Sequence, residues 1–197
     1  MEYAEVTFTA FLSAAIVSTL LTATYLYQFW HHQRGCAFAV AAGINTLHLT
    51  AIALSFSNHQ LGTHWLLFLE CLHYNVWVLA IALSLRKHSK QQQFPRSLQI
   101  LFSAGWPLTG IILLFALLDN KAILALTPWF ALGLAVISLV SVEQLYRYAA
   151  SNDRQIKLLC MNLGAIFLYD IYLYTHGLIF QGIDPLLWQS RAAVSIA

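Results

Sequence analysis

Residues 65–85 read WLLFLECLHYNVWVLAIALSL. One carboxylate, Glu70, and one imidazole, His73, interrupt a mostly apolar run. At about 1.5 Å of rise per residue, roughly 20 residues of helix cross the hydrocarbon core of a bilayer. A barrel strand would be half as long and would alternate apolar with polar positions, which this run does not. The stretch therefore predicts a transmembrane helix.

The same pattern recurs on both sides of it. Apolar runs extend from about Val6 to Trp30, Cys36 to Ser57, Leu98 to Leu118, Ala122 to Val142 and Leu158 to Phe180. Short polar stretches separate them: HHQRG after the first, NHQLGTH after the second, RKHSKQQQFPRS after the third, DNK after the fourth and SNDRQIK after the fifth. QGIDPLLWQSR then reads as a loop, and AAVSIA at 192–197 as the opening of another span. Composition agrees, with 59% hydrophobic and 9% charged residues, against about 25% charged in a soluble domain. The expected fold is an all-α integral membrane protein, a polytopic bundle of six full spans plus the start of a seventh. All of it forms one transmembrane domain over 1–197 that stops within the seventh span. The lipid bilayer is its first partner, and a net charge of +2 gives no footing for nucleic acid.

The opening MEYAEV lacks the positive n-region of a signal peptide, so the first span is expected to stay uncleaved. Pro107 and Pro128 fall inside predicted spans and are expected to kink them. Cys36, Cys71 and Cys160 all sit in apolar runs and read as buried free thiols. No GxxxxGK[ST] loop, GxSxG elbow or GxG occurs, so nothing recognisable would bind a nucleotide.

Basic residues set the expected orientation. Arg34, Arg86, Lys87, Lys90, Arg96, Arg147, Arg154 and Lys157 fall in alternate connections, with only Lys121 and Arg191 on the opposite side. The bias places the larger group in the cytoplasm and the N-terminus outside. Trp30, Trp65, Trp129 and Trp188 lie near predicted span ends, where interfacial anchors belong.

Ionisable residues inside a span are costly, and four stand out: His48, Glu70, His73 and Asp170. Counting from the outer ends of their spans puts the histidines roughly 12–14 Å deep and Glu70 roughly 8 Å deep. Glu70 and His73 share a helix face, as do Asn45 and His48. Tyr169, Tyr172 and His176 form a stripe beside Asp170, with Tyr174 a turn further on. These groups can simply hydrogen-bond helices together. They can also form an externally facing, proton-responsive pocket, because a carboxylate beside a histidine favours the imidazolium. A metal site built on the Glu70/His73 spacing, or a haem held between His48 and His73, is a third reading, that of a membrane oxidoreductase. A small transporter is a fourth, although no inverted repeat is visible.

One region is more specific. VEQLYR at 142–147 is followed by a lysine-led helix carrying YDIYLY at 169–174, and then by IDPLLWQSRAAV at 183–194. LECLHYNVW at 69–77 adds an LE-x-L segment with a tryptophan further along. Together these resemble the N-terminal membrane region of the PrsK-like sensor histidine kinases of PEP-CTERM/XrtA exopolysaccharide systems. The resemblance is good over about 140–195, moderate near 68–78 and loose elsewhere. It implies a multi-span sensor in a bacterial inner membrane, followed by cytoplasmic GAF-like and kinase domains. The kinase core, with its phosphoacceptor histidine and its ATP and Mg, is absent from these 197 residues. No cofactor is therefore expected here. A homodimer of the full-length protein and a response regulator are the implied partners. His48, Glu70, His73 and Asp170 become candidate signal-sensing residues. Glu143 and Arg147, four apart and able to pair, become a candidate cytoplasmic relay.

Overall fold

The computed structural model describes residues 2–29, 33–58, 63–88, 126–148 and 154–195. The predicted fourth span, 98–118, lies outside the described residues together with 89–97 before it and 119–125 after it. Within them the chain forms six helices and no strand: α1 (Glu2–Phe29), α2 (Gln33–Asn58), α3 (Thr63–His88), α4 (Thr127–Tyr148), α5 (Arg154–Ile179) and α6 (Pro185–Val194). The first five each contain a segment long and apolar enough to cross a membrane.

α1 lies along α2, and the two approach closely because Ala14, Ala15, Ala39 and Ala42 fill the seam. Small residues let helix backbones come together where lipid offers no hydrophobic drive. Ser18 supplies a polar tie there, with Oγ accepting from Asn45 Nδ2 at 3.1 Å and from Thr46 Oγ1 at 3.0 Å. The main core joins α2, α3, α4 and α5 around Tyr74, Trp77, Ile81, Leu134 and Phe167. Ile16, Leu20, Leu47 and Leu168 point outward, exposed. In lipid such a face costs nothing, since hydrocarbon is its natural solvent.

Two expectations are corrected. Pro128 does not kink a helix, because it occupies the first turn of α4, where its missing N–H has no helical partner to lose. Trp188 is half-buried, with its ring 6.3 Å from that of Phe11. Residues 181–191 are not all loop. α5 ends at a left-handed Gln181 (φ 54°), and the Gly182 N–H donates to the Gly177 carbonyl at 3.0 Å. This closure leaves the last carbonyls of α5 satisfied and turns the chain sharply. Asp184 then caps α6, accepting from the Leu186 N–H at 2.8 Å, with Pro185 following.

The turn depends on Gly177. A Cβ there would lie 2.8 Å from Ile183 Cγ1. Glycine to alanine in a helix normally gains up to about 1 kcal/mol, but forcing atoms into a packed contact costs about 1–3 kcal/mol. Gly177→Ala is therefore expected to lower stability by about 1 kcal/mol in detergent unfolding. A stabilised variant would show that Ile183 swings clear.

Candidate functional site

Three helices bring their charged residues to one point. Glu70 and Tyr74 are a turn apart on α3, and Asp170 and Tyr174 a turn apart on α5. Arg191 enters from α6, which is held in place by two further contacts. The Tyr169 hydroxyl donates to the Leu187 carbonyl at 2.6 Å, and Gln189 Nε2 donates to Thr7 Oγ1 of α1 at 2.7 Å.

Arg191 sits between the two carboxylates. Its Nη2 donates to Glu70 Oε1 at 2.6 Å and to Asp170 Oδ2 at 3.2 Å. Its Nε lies 2.7 Å from Asp170 Oδ1, close enough for an ion pair but not aligned as a hydrogen bond. The tyrosines complete the shell: Tyr74 donates to Asp170 Oδ2 at 2.6 Å, and Tyr174 donates to Glu70 Oε1. The guanidinium carbon also stands 5.2 Å from the Trp188 ring and 5.8 Å from the Tyr174 ring, within cation–π range. Asp170 is 0% exposed, Arg191 5% and Glu70 6%. Charges this deep persist only when paired and hydrogen-bonded; both carboxylates are paired with Arg191, while Asp170 Oδ1 and Arg191 Nη1 have no hydrogen-bond partner.

The four candidate sensing residues are thus split into two pairs. Glu70 and Asp170 meet through Arg191, whereas His48 and His73 face each other with ring centroids 5.5 Å apart. Among the described residues no hydrogen bond or ion pair joins either histidine to a carboxylate, so the expected Glu70–His73 pairing is not made. Both carboxylates turn to the guanidinium, whose fixed charge and forked donors match a carboxylate better than imidazole does. The pairs are nevertheless contiguous. The His73 ring is 5.3 Å from that of Tyr74 and 6.4 Å from that of Phe167.

Elsewhere, Tyr169, Tyr172 and His176 form the expected stripe at 6.2 Å spacing, and Phe180 extends it 4.4 Å beyond His176. Glu143 and Arg147 do pair, at 2.5 Å, but both are largely exposed. Such a pair contributes about 0.3–0.5 kcal/mol. Cys71 and Cys160 are buried and free, and the Cys36 side chain lies outside the described residues. Among the described residues, no group of three or more His, Cys, Asp or Glu is placed to hold a metal ion.

Sequence reasoning missed Arg191 and Tyr74. Arg191 was assigned to an outer loop, yet Asp184-Pro185 is a helix-start signature, and it would have placed Trp188, Arg191 and Ala192 on one helical face. Tyr74 was legible as the residue four beyond Glu70. Compared with known proteins, the chain matches no family model, no curated protein and no solved structure.

Proposed function

We propose that this chain is the membrane-embedded signal-sensing domain of a PrsK-like sensor histidine kinase, sited in a bacterial inner membrane with its N-terminus outside. One observation carries the reading. Three of the four segments that bear the resemblance, LECLHYNVW, YDIYLY and IDPLLWQSRAAV, contribute Glu70, Tyr74, Asp170, Tyr174 and Arg191 to a single buried cluster. A signal that alters the charge or packing there would change how α6 sits on α3 and α5. Because α6 is the last described helix, its displacement would pass to whatever follows it. Glu143 and Arg147 would lie at the cytoplasmic end of α4 and act as a secondary relay. In the full-length protein the domain would work as a homodimer, and a response regulator would receive the phosphoryl group.

Two experiments test this. Sequencing the encoding DNA past codon 197 should reveal a phosphoacceptor helix and an ATP-binding domain in frame. A stop codon there removes the kinase assignment. In the full-length protein, Glu70→Gln and Asp170→Asn should each shift basal autophosphorylation several-fold. Unchanged rates in both variants would sink the cluster as the sensing element.

A further inference from the structure

The cluster contains one guanidinium and two carboxyl groups, all buried. Arginine is permanently cationic. With both carboxyls ionised, the site would hold a net negative charge inside a bundle whose solvent is lipid. Uncompensated buried charge is among the most expensive arrangements a protein can contain, and a group so placed neutralises instead.

Among the described residues, no other compensating cation stands at the cluster. α6 gives Arg191 alone, and α5 gives Asp170, Tyr169 and Tyr174. α3 gives Glu70, Tyr74, Cys71 and His73, and α2 gives His48. Among the described residues, α1 and α4 place no charged side chain at the cluster: Glu5 is exposed, and Glu143 and Arg147 are exposed and paired with each other. His73 is the nearest alternative carrier, but its buried Nδ1 has no hydrogen-bond partner. An imidazolium there would leave a charged donor with no acceptor, which costs more than a neutral ring. The carboxyls are better placed. A proton on either carboxyl has an acceptor within reach, the hydroxyl oxygen of Tyr74 beside Asp170 or of Tyr174 beside Glu70, which turns from donor to acceptor.

We infer that the Glu70–Asp170–Arg191 cluster is a proton-binding site that holds one exchangeable proton between its two carboxyl groups at neutral pH, bringing the cluster to zero net charge. Uptake and release are simple acid–base steps: an O–H bond forms on a carboxylate at the expense of a water or hydronium proton, and no electrons change hands. This deepens the sensing assignment, on which only its physiological role rests, by naming the proton as the ligand. Loss of the proton would set the anion of Glu70 on α3 against that of Asp170 on α5, with Arg191 between them, and so shift how the three helices sit on one another.

The test is infrared spectroscopy of the purified chain in lipid nanodiscs, reading the C=O stretch of protonated carboxyl groups at pH 7. The wild type should show one buried protonated carboxyl. Glu70→Gln and Asp170→Asn each leave one carboxylate facing one guanidinium, so each should abolish the band. Arg191→Gln leaves two carboxyls and no cation, so the band should double. If that variant fails to fold, the two isosteric amide variants carry the test alone. A wild type without the band overturns the inference, as does a band that survives in both amide variants. A band that disappears when sodium replaces choline at constant pH would overturn it in favour of a cation site. A band that behaves as expected in a full-length protein whose autophosphorylation ignores pH would uphold the proton site and refute the sensing role.

Discussion

Replacing Arg191 with leucine is expected to lower the stability of the folded bundle by about 3–5 kcal/mol at neutral pH, the usual cost of removing one partner from a buried ionic group. Leucine fills much of the space but leaves Glu70 and Asp170 without the cation that both of them contact. The loss should be read by denaturant unfolding in mild detergent. Acidification, which neutralises the stranded carboxylates, should narrow the deficit. The effect should also be spatially selective. α6 is held by Arg191, by the Tyr169–Leu187 contact and by the Gln189–Thr7 contact. Losing the strongest of these should make a cysteine introduced at Ser190 react faster with a water-soluble thiol reagent, while one at Leu47, on the outer face of α2, stays unchanged. A loss below about 1 kcal/mol would show that the cluster is solvated enough to screen its own charges.

The second large effect is expected at Phe167. Its side chain is 0% exposed, and its ring stands 5.8 Å from Tyr74 and 6.4 Å from His73. Phe167→Ala should cost about 3–5 kcal/mol through the cavity it opens. Because the ring backs both Tyr74 and His73, the same variant should loosen the Tyr74 hydroxyl from Asp170. A cost near zero would mean that α3 and α5 close the gap by moving together. Phe167→Leu retains most of the volume and should recover more than half of the loss, which separates packing from any special role of the ring.

The fold was legible where physics is one-dimensional. A continuous apolar run such as 65–85 has few ways to satisfy its backbone in lipid other than as a helix, and α3 indeed spans Thr63–His88. Asp170 and Glu70 stood out for the same reason, because a carboxylate in such a run needs an explanation. What spacing could not supply was the partner. Glu70 and His73 share a face of α3, yet each side chain turns to a different helix, and that choice belongs to tertiary structure. Arg191 was hidden by its address. A basic residue between two apolar runs reads as a loop charge, and a ten-residue helix is too short to announce itself by periodicity. Moving Arg191 into the bundle leaves Lys121 as the only basic residue on that side of the predicted topology. Pro128 falls well inside an apolar run that starts at Ala122 but in the first turn of the helix described from Thr127, so hydropathy alone misplaces it.

The turn at 180–184 has a kinetic consequence. A short, capped tether joins α5 to α6, so a released Arg191 stays within reach of Asp170 on the same strip of chain. Its effective concentration at the site is that of a tightly leashed ligand, in the millimolar range or above for linkers this short. Re-docking is then a first-order event, set by the tether and indifferent to how much protein the membrane holds. A release that brief and that local can be repeated without unfolding the helices that frame it.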